Sequence, residues 1–162
     1  LAAQDQPEAG LARMYEGMAL WRTTGAGLGE PFFLGLVAEV HGSLGQYDRG
    51  LELLSDALAM IDRTGEQWCQ ADLYRLQGDV LLQSGAPATA VEACWQRALT
   101  LANQQQARSW ALRAGLRLGR WWSTQGQRQA AHRLLTDLYG RFSEGLTTAD
   151  LQAAQTLLDN IT

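Results

Sequence analysis

Residues 44–61 read LGQYDRGLELLSDALAMI, a Gly-containing turn followed by an amphipathic helix with small residues at fixed places. The pattern returns twice downstream and is half present upstream. Aligning the turn glycines Gly45, Gly85 and Gly126 sets periods of 40 and 41 residues. Three positions of the following helix keep step. Gly10, Gly50, Val91 and Ala131 come first, and four residues on stand Met14, Leu54, Trp95 and Leu135. Three further on stand Gly17, Ala57, Ala98 and Leu138. Offsets of four and three place these side chains on one helix face. A small residue there lets a neighbouring helix approach, and a large one four positions on fills the groove between its turns. A fixed period of about 40 residues marks a solenoid, whose units cannot bury their apolar faces alone and therefore stack.

The helix before each turn repeats as well: Tyr74-x-x-x-Gly78, Leu118-Gly119-x-x-Trp122 and the degraded copy Val37-Ala38-x-x-His41. These residues resemble the tetratricopeptide repeat, and the best single match is Gly45-x-Tyr47-x-x-Gly50-x-x-x-Leu54-x-x-Ala57-Leu58. That repeat is usually about 34 residues long, so units of about 40 imply longer helices and looser connections. The expected fold is all-α: a right-handed α-α superhelix of about three and a half hairpins plus a capping helix. It divides into a half-repeat at 8–25, repeats at 30–65, 67–105 and 107–142, and a capping helix at 147–161, within a single domain.

Residues 1–8 are polar and are expected to fray. Pro31 and Pro87 suit the first turns of the second and fifth helices. The fourth helix, over about 67–83, is apolar nearly all round and belongs in the middle of the stack. Thr147-x-x-Asp150 reads as a capping box for the eighth helix, whose Gln152, Gln155 and Asp159 give it one wet face.

The chain of 162 residues is 46% hydrophobic with three prolines, enough for one continuous core. Its net charge of −4 gives no basic face of the size nucleic acid demands. No apolar run reaches the length of a membrane span. All 13 cationic side chains are arginine, which excludes Schiff-base chemistry and a P-loop lysine within this chain. The opening Leu1 and the unpartnered half-repeat read as a piece of a longer protein.

The last third reads Trp122-x-x-Gln125-Gly126-x-Arg128-x-x-Ala131-x-x-Leu134-Leu135, then Tyr139-x-x-Phe142-x-Glu144-Gly145, then Thr148-x-Asp150-Leu151-x-x-Ala154. These residues resemble the C-terminal end of a bacterial family that joins a signal-transducing ATPase module to a helical-repeat tail, often behind an adenylate or guanylate cyclase domain or a DNA-binding domain. Trp21-Arg22-x-x-Gly25-Ala26 and Gln106-Ala107-Arg108-Ser109 agree too, so the resemblance runs from Gly10 to about Ile161. It implies a cytoplasmic regulatory or partner-binding tail, with the cyclase and nucleotide-binding residues elsewhere.

No residue pattern points to catalysis or to a cofactor. Gly25-Ala26-Gly27-Leu28-Gly29 follows a helix rather than the strand a phosphate loop needs. Gly42-Ser43-Leu44-Gly45 lacks the nucleophile-elbow spacing, and Ser109 suits a helix cap. His41, His132, Cys69 and Cys94 show no metal-ligand spacing. His41 stands at an aromatic packing position, and the cysteines read as reduced core thiols. Trp95, Trp110 and Trp122 fall on core positions, whereas Trp21, Trp68 and Trp121 are free to reach a groove.

The candidate site is the concave face. The first helix of each hairpin lines it, and the residues off the core stripe are Glu39, then Asp72, Arg75 and Asp79, then Arg113, Arg117 and Arg120. The arginines would hold an acidic protein or peptide partner by bidentate contacts; the plainer alternative is a solvated face with Asp72, Arg75 and Asp79 paired to one another. The expected role is a non-catalytic scaffold. A small-molecule sensor lined by tryptophan and a homodimer formed through the half-repeat are the alternatives.

Overall fold

A computed structural model describes residues 7–161; the polar lead expected to fray falls largely outside that range. Eight α-helices follow one another: α1 (Pro7–Thr23), α2 (Glu30–Ser43), α3 (Tyr47–Thr64), α4 (Gln70–Gln83), α5 (Ala88–Gln104), α6 (Arg108–Thr124), α7 (Arg128–Tyr139) and α8 (Ala149–Ile161). The described residues contain no strand. Consecutive helices pack against each other, so the fold is a row of antiparallel hairpins.

The two sets of helices behave differently. The even-numbered helices touch in series, α2 on α4, α4 on α6 and α6 on α8, while no two odd-numbered helices meet among the described residues. One row is crowded and the other splayed, which curves the stack with the even-numbered helices on the inner, concave side. Helix α4 packs on α2, α3, α5 and α6, the central position its apolar sequence predicts.

The register read from the sequence is the burial pattern. Leu54, Ala57, Val91, Ala98, Ala131 and Leu135 are fully buried, and Trp95 and Leu138 nearly so. Gly10 and Gly50 are buried as well. The half-repeat departs, with Met14 half-buried and Gly17 exposed, because among the described residues the one helix α1 packs closely on is α2. The three turn glycines share one left-handed conformation, φ 74° at Gly45, 76° at Gly85 and 77° at Gly126, which a side chain would strain.

Some boundaries differ from expectation. Helix α4 starts at Gln70, so Trp68 lies in the preceding turn at 47% exposure; its Nε1 donates to Glu66 Oε1 at 2.6 Å, an oxygen that also accepts the Gly29 N–H at 2.7 Å. Helix α7 ends at Tyr139. Beyond it Arg141 and Phe142 make i→i+3 bonds to Leu138 and Tyr139, and the Arg141 carbonyl accepts from Arg108. The capping box at Thr147 and Asp150 does not form. The Thr148 carbonyl accepts the Gln152 N–H, which shifts the cap by one residue, and Asp150 turns to Arg113 on α6. Ser109 is likewise no cap, since Ala107 holds that position of α6.

The turns between hairpins repeat too. Gly25 and Gly65 have φ 74° and Gly145 φ 68°, but Gln106 occupies the matching place before α6 with φ 55°. A non-glycine residue there carries a steric cost of roughly 1–2 kcal/mol, partly offset by glycine's larger unfolded-state entropy. Gln106→Gly is therefore expected to stabilise the fold by about 0.5–1 kcal/mol, read as a higher urea midpoint with an unchanged slope. A lower midpoint would contradict this account of the turn.

Candidate functional site: the concave charged cradle

The inner row presents equivalent positions at intervals of 40 and 41 residues: Phe32, Asp72 and Arg113; Leu36, Leu76 and Arg117; Glu39, Asp79 and Arg120. A cavity of about 250 Å³ on this side is lined by Glu39, Asp72, Arg75, Arg113, Arg117 and Asp150, with Phe32, Leu36 and Leu116 as its apolar part. Five of the seven residues picked out from the sequence thus share one cradle. Asp79 lies behind it. Arg120 is exposed, one turn further along α6, and makes no hydrogen bond or ion pair with any described residue.

Behind the cradle is a buried polar network. Asp72 and Arg75 are 5% and 6% exposed. Arg75 Nε donates to Asp72 Oδ1 at 2.6 Å and its Nη1 to Asp79 Oδ2 at 2.7 Å. Asp79 then ties three helices together. Its Oδ1 accepts from Trp95 Nε1 on α5 at 3.0 Å, and Arg117 Nε on α6 reaches both its oxygens at 2.8 and 3.0 Å. Burial opposes the Arg75 cation, yet the bond to Asp72 and the charges of Asp72, Asp79 and Glu39 outweigh it, so its pKa stands above the ordinary arginine value. Two carboxylates here face two guanidiniums, which lets charged groups sit in a closely packed stack. The pairing of Asp72, Arg75 and Asp79 in the plainer alternative read from the sequence is present, but Asp72 and Arg75 are buried rather than on a solvated face. Arg117 joins it from the next hairpin.

Arg113 is more open. Its Nε donates to Asp150 Oδ2 at 2.7 Å, with the two side chains 43% and 36% exposed, and its guanidinium stacks over Trp110 at 5.3 Å. An exposed pair of this kind holds loosely, so Arg113 can exchange partners where Arg75 cannot. Sequence reasoning missed Asp150 because it was assigned to a cap. It missed Phe32 although the residue stands at the register of Asp72 and Arg113. The half-buried Phe32 packs on Trp68 with ring centres 5.2 Å apart, an aromatic edge beside the charged cradle.

Other candidate groups are spent on packing. His41 is 6% exposed, with Nε2 hydrogen-bonded to the Tyr15 hydroxyl at 2.9 Å and Nδ1 to Gln46 Oε1 at 2.5 Å. Trp95 is in the core, and Trp121 and Trp122 are half-buried and both donate to the Glu92 carboxylate. Trp110 is half-buried rather than a full core residue. Cys69 and Cys94 are free thiols; burial, then the charge of Glu66, pushes the Cys69 thiol up to about 11, far from the range of a reactive thiolate. No described helix is long and apolar enough to cross a membrane.

Removing the carboxylate that joins the three helices tests the network. Asp79→Ala leaves Arg75 with one partner, frees Arg117 and strands the Trp95 N–H, and is expected to cost about 3 kcal/mol or more in thermal or urea denaturation. A loss under about 0.5 kcal/mol, the level of a surface pair, would show that the network does not hold the hairpins together.

No family model matches the chain. Among curated proteins, an uncharacterized protein of Rhizobium meliloti (strain 1021) is 29% identical to it over 105 residues, which is 65% of this chain and 10% of that protein. The match therefore spans about a tenth of the relative's length.

Proposed function

We propose that the chain is a non-catalytic helical-repeat scaffold, a right-handed superhelix whose concave face binds an acidic protein or peptide segment. It would serve as the regulatory tail of a larger, cytoplasmic bacterial signalling protein. The observation that carries the binding reading is the uneven use of the arginines. Arg75 and Arg117 are committed to Asp79, whereas Arg113 is held by one exposed partner and Arg120 by none among the described residues. Two loosely held guanidiniums two turns apart on one helix suit bidentate contact with carboxylates, and Phe32 and Leu36 offer apolar surface in the cavity that Arg113 lines. The reading of a larger protein is supported by the relative, in which the matched stretch is a small fraction of the whole, and by the resemblance of the last third to cyclase- and ATPase-linked repeat tails. Asp72, Asp79 and Asp150 are each paired with an arginine, which favours a scaffold over an enzyme.

A fluorescein-labelled glutamate-rich peptide, titrated against the chain, tests this beside a lysine-rich peptide of equal length. The acidic peptide is expected to bind with an affinity that falls as salt rises and that drops about tenfold in Arg113→Gln/Arg120→Gln, with helicity unchanged. Equal binding of both peptides, or an acidic peptide indifferent to the two substitutions, would contradict the proposal.

A further inference from the structure

A second surface lies at the α1 end, adjoining the charged cradle at Leu36. Met14, Gly17, Met18 and Trp21 of α1 and Phe33, Leu36 and Val37 of α2 line an open, almost wholly apolar groove of about 370 Å³. Trp21 and Phe33 meet edge to face at its end, ring centres 5.9 Å apart.

The repeat supplies the meaning of this groove. One period on, Met14, Gly17 and Trp21 become Leu54, Ala57 and Ile61, all at most 1% exposed, against 40% for Trp21. Phe33 and Leu36 become Leu73 and Leu76, at most 2% exposed. What covers the later set is α2, which packs on both α3 and α4. It does so by presenting small residues. A Cβ on Gly35 would come within 2.6 Å of Leu73 and 3.3 Å of Leu76, and the Ala38 backbone approaches Gly50. In the next repeats the residues equivalent to Met14, namely Trp95 and Leu135, lie against Gly78 of α4 and Gly119 of α6. Every later groove between an outer helix and the following inner helix is therefore filled by an inner-row helix with glycine or alanine at the contact.

We propose that the α1–α2 groove is a docking site for an amphipathic α-helix that turns glycine or alanine toward Met14, Phe33 and Leu36. The groove spans the eight residues from Met14 to Trp21 of α1, about 10 Å at the rise of a helix, the length of two turns of such a partner. A second copy of this chain fits it poorly. The free inner-row helix α8 bares Gln152, Gln155, Thr156, Asp159 and Asn160, a polar face that would bury unpartnered amides and a carboxylate against apolar walls.

A labelled synthetic peptide with the sequence of α2, Glu30–Ser43, serves as the probe, followed by anisotropy against the intact chain. Saturable one-to-one binding is expected, weakened about tenfold or more by Gly35→Leu in the peptide and by Trp21→Glu in the protein. Trp21 is 40% exposed and packs only its edge on Phe33, so its replacement should lower the melting midpoint only slightly, and it distinguishes this groove from the seat that α2 already fills. Absence of binding, or indifference to either change, overturns the proposal. So does a dimer in sedimentation equilibrium that Trp21→Glu dissociates and the peptide does not displace, which would make a second copy the occupant. An apolar dye that binds where the peptide does not would equally overturn it.

Discussion

The structure depends on how closely an outer helix can approach the inner helix before it. At the hairpin of α4 and α5 a Cβ on Gly78 would lie 2.5 Å from the Trp95 ring, and at that of α6 and α7 one on Gly119 would lie 2.8 Å from Leu135. Both distances are far inside van der Waals contact. The missing side chain is thus the space into which the large residue fits, and the glycine's lower helix propensity, about 1 kcal/mol, is outweighed by burying an aromatic or leucine side chain at roughly 1.5–3 kcal/mol. The exchange is made at α4–α5 and twice at α6–α7, where Gly115 also faces Leu138; at α2–α3 the inner position is Ala38 and the glycine is Gly50 of the outer helix. It gives a layered protein its fixed spacing, because each large residue locks one outer helix to one inner helix at one height.

That spacing brings Asp79 of one hairpin within reach of Arg117 on the next. The network around Asp79 costs desolvation and returns it only through complete pairing, so it contributes to register more than to net stability. Its chemical consequence is on the concave face. The buried, mutually bound Asp72 and Arg75 form the wall, anchored from behind by the partly buried Asp79, and the looser cations of α6 are left facing out. Stability and the recognition proposed for this face are therefore divided between adjacent turns of the same helices.

Much of this was legible in the sequence because helical period and repeat period reinforce each other. The register predicted full burial at Leu54, Ala57, Ala98 and Leu135, and it placed the charged residues on the inner row. It failed where only one neighbour exists: Gly17 has the right spacing but no inner helix over it. It failed also where a side chain had two physically reasonable uses. Asp150 satisfied a local capping pattern, yet a guanidinium on α6 was the stronger partner. Trp68 was placed inside the fourth helix, free to reach a groove, but it lies in the turn before that helix, where its indole N–H is served by Glu66. The crosslink from Arg117 to Asp79, 38 residues apart, had no local signal, since it depends on the curvature of the assembled stack.

The pairing of glycine with a large residue is tested most directly by a double-mutant cycle at one contact. Gly78→Ala in the native background should destabilise the fold by about 1–3 kcal/mol through overpacking, despite alanine's better helix propensity. In a Trp95→Leu background the clash is relieved, and the same change should become neutral or favourable. Equal effects in both backgrounds would mean that the two residues do not set the spacing of the layers.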